Sequence, residues 1–349
     1  MRALRATVLF YLFLCITPAA WAAEDCPPLT MVASVPLTIG SDNRPYVPVK
    51  INGKPKSMLV DTGGFVTEMN RSTSDELQLS ARHTRLQLIG VYGDMTQLAV
   101  TAALAVGNLH ADNMDFMLMP QVHEFASDVP DAAGSIAPNF LRPYDADFDF
   151  GGGKFNLLSQ KHCDGKVVYW PNSGVAVVPI DVRPDGQIVV PVELDGEKLK
   201  AVLDTGASTS VLNMEVAEVA FGLKPGSADT PAASGAGQNK SGMPTYSHRF
   251  KSLSLEGIAI SNPEMIIIPD LVRMRMMDPH DSLEGDTRVK NSANPVGLDP
   301  MMLGMNILRR LHLYIAYKEK KLYITPAAAA VSAAAPAASA AVAVPAGSK

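Results

Sequence analysis

Pro48–Asn70 reads PVKINGKPKSMLVDTGGFVTEMN, and Pro191–Asn213 reads PVELDGEKLKAVLDTGASTSVLN. The two stretches align without a gap at an offset of 143 residues. In each, an alternating apolar run (Val47, Val49, Ile51; Val190, Val192, Leu194) precedes Asn52-Gly53 or Asp195-Gly196, the dipeptides of a tight hairpin turn. A second apolar run then leads into Asp61-Thr62-Gly63 or Asp204-Thr205-Gly206. One unit therefore occurs twice, and each copy delivers one carboxylate to the same point of its hairpin.

The repeat continues outward. Leu104–Pro120 matches Leu253–Pro269 at an offset of 149, and Ile136–Leu157 matches Leu303–Ile324 at an offset of 167. The growing offset places insertions in the second copy, the larger between Pro269 and Leu303. That segment is polar and irregular and reads as a surface loop able to overhang a cleft. Short helices are expected near Asn139-Phe140-Leu141 and Asn306-Ile307-Leu308. A last hairpin is expected to turn at Asp149–Lys154 and Tyr317–Lys321. Long amphipathic helical patterns are scarce. The fold class is mostly β, with two similar lobes at 35–160 and 175–325 in a pseudo-two-fold arrangement.

The 349-residue chain has length for two domains, and 47% hydrophobic with 19% charged residues fits a globular core. A net charge of −5, spread along the chain, leaves no nucleic-acid footprint. Residues 1–22 read as a secretory signal: Arg2 and Arg5, a short apolar stretch from Val8 to Ile16, and Ala20-Trp21-Ala22 as the cleavage site. The apolar run is short for a membrane span, so a secreted or periplasmic protein with no stable membrane span after cleavage is expected. Cys26 and Cys163 then remain, and two cysteines in an exported chain can pair, tying the N-terminus to the junction between the repeats. Residues 326–349 are Ala- and Pro-rich, without large apolar side chains, and read as a disordered tail.

Two carboxylates facing each other across a two-fold axis cannot both ionise freely. One keeps a proton and hydrogen-bonds a substrate carbonyl while the other takes a proton from water. Asp61 and Asp204 are the candidates, and the pair titrates as a unit. Asp145, Asp147 and Asp149 alternate along one strand face. They could suggest a calcium site, but a solvated face is expected. The seven histidines form no zinc-type pair, and no metal or other cofactor is expected.

With both triplets in matched frames, the chain resembles the retropepsin-like aspartic proteases of bacteria, two units fused into a single-chain pseudo-dimer as in pepsin. Met302-Leu303-Gly304 matches the later apolar-apolar-Gly element. The first copy departs from it with Ser135-Ile136-Ala137, whose last residue adds a methyl beside the catalytic loop. The resemblance implies an endopeptidase that acts on peptide or protein substrates as a monomer. It implies that Thr62 and Thr205 hydrogen-bond across to the opposite copy and that Gly63 and Gly206 allow the tight backbone exposing the carboxylates. It also implies flaps near Tyr92-Gly93 and near Gly235 and Gly237. Gly64 and Ala207 stand where pepsin-like enzymes carry Ser or Thr. Without that hydroxyl the lower pKa of the dyad should rise and move the optimum from strongly to mildly acidic pH. Two other readings fit the same residues: a peptide-binding pseudoprotease that does not cut, and an envelope scaffold.

Overall fold

A computed structural model describes residues 26–89, 95–119, 125–171, 174–233, 244–269 and 300–327. The expected signal segment, the flap candidates Tyr92, Gly93, Gly235 and Gly237, most of the inserted loop after Pro269 and nearly all of the expected tail lie outside them.

Pro45–Ile51 and Lys54–Val60 pair antiparallel, as do Ile188–Leu194 and Glu197–Leu203. The turns between them hold Asn52 and Gly53 at φ 47° and 79°, and Asp195 and Gly196 at φ 46° and 92°. This left-handed geometry at both central residues matches the twist of the flanking strands and selects Asn-Gly and Asp-Gly. Side chains on one face of each first strand are buried: Val47, Val49 and Ile51, and Val190, Val192 and Leu194.

In the first lobe Lys54–Val60 runs parallel to Ala132–Ile136, which pairs antiparallel with Glu68–Asn70. In the second lobe Glu197–Leu203 runs parallel to Met301–Leu303, which pairs antiparallel with Val211–Asn213. Each arrangement lays the loop after the triplet beside a strand from late in the same copy. The first lobe's sheet also closes on itself through Pro45–Ile51 and Met95–Val106. The molecule is thus mostly β, with two barrel-like lobes.

A third sheet joins them. It has six strands in the order Met31–Pro36, Lys154–Leu158, Asp145–Asp149, Leu311–Ala316, Lys321–Pro326, Ala176–Pro179. Three strands come from each copy, and they meet where Asp145–Asp149 pairs antiparallel with Leu311–Ala316. The inner face contributes Ala146, Phe148, Phe155, Leu157, Leu313, Ile315, Leu322 and Ile324 to the main core.

The outer face of this sheet corrects the sequence expectation for the Asp cluster. Asp145 and Asp147 share one strand face, but that face is covered, and both are fully buried; only Asp149 is partly exposed. The connection between the repeats lies over them. His162 Nε2 stands 2.7 Å from Asp145 Oδ2, and the Tyr314 hydroxyl donates to the same oxygen at 3.1 Å. Asp147 faces His312 Nε2 at 2.6 Å and accepts from Asn156 Nδ2 at 2.8 Å and from the Tyr169 hydroxyl. Trp170 stacks on the His312 ring and donates to Thr325 Oγ1 at 3.0 Å. A disulfide between Cys26 and Cys163, with Cα atoms 5.2 Å apart, anchors the same connection. Buried carboxylates need such partners, because desolvation of an unpaired charge is too costly to leave uncompensated.

Candidate active site

Each triplet follows directly on a buried strand whose neighbour fixes the first backbone amide. Asp61 N–H donates to Ile136 O at 2.8 Å, and Asp204 N–H donates to Leu303 O at 3.0 Å. Two further amides then turn onto each carboxylate. Asp61 Oδ1 accepts from Gly63 N at 2.9 Å and Gly64 N at 2.8 Å. Asp204 Oδ1 accepts from Gly206 N at 2.8 Å and Ala207 N at 3.1 Å.

The loops face each other at close quarters. A Cβ placed on Gly63 would lie 2.3 Å from Asp204 Cγ, and one on Gly206 would lie 2.4 Å from Asp61 Cγ. Neither glycine has a positive φ. Their requirement is therefore close approach of the opposite carboxylate, and the tight-backbone reason drawn from the sequence is replaced by this one.

Threonine locks the two loops together. Thr62 N donates to Thr205 Oγ1 at 3.1 Å, and Thr205 N donates to Thr62 Oγ1 at 3.0 Å. Each hydroxyl in turn donates across the axis, Thr62 to Leu203 O at 2.7 Å and Thr205 to Val60 O at 2.6 Å. Both side chains are fully buried, so the four groups satisfy one another without water.

A second support in each lobe escaped the sequence reading. Asn139 Oδ1 accepts from Thr67 N and Thr67 Oγ1 at 2.8 and 2.9 Å, and Asn306 Oδ1 accepts from Ser210 N and Ser210 Oγ at 2.8 and 2.7 Å. The same hydroxyls accept from Ala137 N and Gly304 N. The signal was present, since Asn139 and Asn306 align in the repeat, as do Thr67 and Ser210.

Gly64 and Ala137 are neighbours in the first lobe. A Cβ on Gly64 would lie 3.4 Å from the Ala137 Cβ. In the second lobe the methyl sits on Ala207 instead, and a Cβ on Gly304 would lie 2.9 Å from Ala207 O and 2.4 Å from Thr209 O. The two aligned pairs thus carry one glycine and one alanine each, in opposite order.

Burial raises the Asp204 carboxyl well above the usual carboxylate range, and the charge of Asp61 raises it further. Burial also raises Asp61, but the Gly64 and Gly63 amides, the Asp204 carboxyl and Arg44 pull it back. Burial thus favours a single proton held between the two carboxyls, which titrate as one pair. Among the described residues no group of three or more His, Cys, Asp or Glu side chains could hold a metal ion, and no helix is long and apolar enough to cross a membrane.

Comparison with solved structures gives low overall similarity. An aspartic proteinase from Irpex lacteus is 15% identical, with a TM-score of 0.47 over 86% of this chain and 98% of its own. Basic 7S globulin from soybean is 10% identical, with a TM-score of 0.46 over 85% of this chain and 95% of its own. No curated protein matches the chain. The family described as aspartyl protease matches residues 47–134 and 190–307, more than half of the chain and both triplets. The chain belongs to the aspartyl protease family.

Proposed function

We propose that the protein is an exported, cofactor-free endopeptidase, secreted or periplasmic, that hydrolyses peptide bonds with water activated by Asp61 and Asp204. The observation that carries this reading is the reciprocal approach of Gly63 to Asp204 and Gly206 to Asp61, which brings both carboxylates to one point of a single chain. One carboxylate of the pair acts as the base, taking a proton from the water that attacks the scissile carbonyl. The other, protonated, donates to the carbonyl oxygen as the tetrahedral diol forms. Proton return to the leaving amine then breaks the C–N bond. Thr62, Thr205 and the Asn139 and Asn306 supports act through the loops, holding the carboxylates in register.

The test is digestion of a peptide library by the mature protein across a range of pH, with a pepstatin-type inhibitor as control. Inhibitor-sensitive cleavage supports the reading. Peptide binding without turnover at any pH overturns it in favour of a pseudoprotease.

A further inference from the structure

The two-fold relation that makes the dyad symmetric does not extend to its flanks. Gly64 lies against the first carboxylate: a Cβ built on it would be 3.0 Å from Asp61 Oδ2. The next residue, Phe65, is 52% exposed, a large apolar side chain left in the open one residue from the carboxylate's contact. Its counterpart in the second lobe is Ser208, which directly follows Ala207, an amide donor to Asp204.

The neighbours supplied by the opposite lobe differ as well. On the Phe65 side, Gln187 Nε2 crosses from the second lobe and donates to Gly63 O at 3.1 Å. On the Ser208 side, Asn43 Nδ2 crosses from the first lobe and donates to Ser208 O at 2.9 Å. Arg44, next to Asn43, occupies the position equivalent to Gln187 and is ion-paired with Asp42 at 2.6 Å. Both flanks thus receive a side-chain amide from the opposite lobe, but one carries a phenyl ring where the other carries a hydroxyl.

A peptide cut by the dyad must lie extended across both loops. Its residues advance by about 3.3 Å each, and consecutive Cα atoms in the loop are about 3.8 Å apart. Residues 65 and 208 each follow a dyad aspartate by four positions, on the two loops that such a peptide crosses. We infer that Phe65 makes substrate selection one-sided, so that an apolar side chain is preferred at one subsite flanking the scissile bond and a polar one is accepted at the mirror-related subsite. This rests on the peptidase reading and names the substrate class that the same site takes.

The experiment profiles cleavage of peptides in which one position on each side of the cut bond is varied between Phe and Ser. It compares the wild-type protein, Phe65→Ser, and the exchange variant Phe65→Ser/Ser208→Phe, with thermal melts to confirm folding. A parallel arm measures binding of the same peptides to Asp204→Asn by calorimetry, with and without Phe65→Ser. The wild type should prefer Phe strongly at one subsite and weakly at its mirror. Phe65→Ser should lower that Phe/Ser ratio in kcat/KM by roughly ten-fold or more. The exchange variant should carry the preference to the mirror subsite. Equal preference on both sides in the wild type, or a ratio unchanged in folded Phe65→Ser, overturns the inference. If nothing is cleaved but Asp204→Asn binds with the one-sided preference and loses it with Phe65→Ser, the inference stands and hydrolysis fails. Binding without that preference removes the inference by itself.

Discussion

At the scale of single residues, the site is controlled by hydrogen atoms that stand where methyl groups could be. Alanine at Gly63 or Gly206 would drive a methyl into the opposite carboxylate, with backbone on one side and the Thr62–Thr205 lock beneath. Each change is expected to lower kcat by about 100-fold or more, the usual consequence of displacing a catalytic group by about 1 Å. Circular dichroism should stay near wild type. Ala137→Gly, by contrast, removes a methyl that the second lobe lacks at Gly304, and kcat/KM is expected to stay within about three-fold of wild type. The pH dependence follows from the two carboxyls. Both lie above the ordinary aspartate value of 3.8, Asp204 well above it, each first because of burial. The single-proton state then begins at higher pH than an ordinary carboxylate allows and extends far upward, so the kcat/KM optimum should lie well above pH 2. A carboxyl raised in the folded protein favours folding while it stays protonated. Its contribution is complete below the unfolded value and is lost as pH rises through the folded one. Thermal melts should therefore show stability falling above mildly acidic pH, and Asp204→Asn should flatten that fall. An Asp204→Asn curve with the wild-type slope would place the titration elsewhere. The triplets and their pairing were legible from the aligned frames alone. The reason for the glycines was not, because it depends on how closely the two loops approach.

At the scale of elements, the hairpins and short helices were readable because alternation, turn dipeptides and repetition agreed. The six-stranded sheet was not. Its outermost strands, Met31–Pro36 and Ala176–Pro179, lie far in sequence from the hairpins they extend. The burial of Asp145 and Asp147 was missed for a related reason. Alternation shows that they share a face but not whether that face is covered, and residues 159–171 cover it without any periodic pattern of their own. Removing one partner from such a buried cluster leaves the others unsatisfied. Asp147→Ala should destabilise by roughly 3–5 kcal/mol in chemical denaturation, since His312, Tyr169 and Asn156 all lose their acceptor. The Cys26–Cys163 disulfide spans 137 residues. In the chain-entropy view, Cys163→Ser should cost at most about 5 kcal/mol, seen as a lower denaturation midpoint that matches the reduced wild type. A midpoint unaffected by reduction would show that the strap is held by its polar contacts alone.

At the scale of the whole molecule, one chain supplies both halves of a two-fold site. Among the described residues the lobes are joined by the six-stranded sheet, by the reciprocal threonines, and by turns that cross to the opposite lobe at Asn43–Ser208 and Gln187–Gly63. Thr62→Ala should therefore weaken more than its own hydroxyl. It strands the Thr205 amide in a buried site, costing about 1–3 kcal/mol, and Thr62→Ala/Thr205→Ala should cost less than the sum of the single changes. The duplication itself was plain in the sequence, and so were two lobes. Where they meet, and which neighbours each lends the other, depended on contacts between segments more than 100 residues apart, which no local pattern encodes. The most direct test of a single intramolecular dyad is the turnover of Asp61→Asn, of Asp204→Asn, and of an equal mixture of the two, on a peptide the wild type cleaves. All three samples should be folded and inactive, because no single chain in the mixture carries both carboxylates. Near-normal activity in either variant, or activity recovered on mixing, would contradict it.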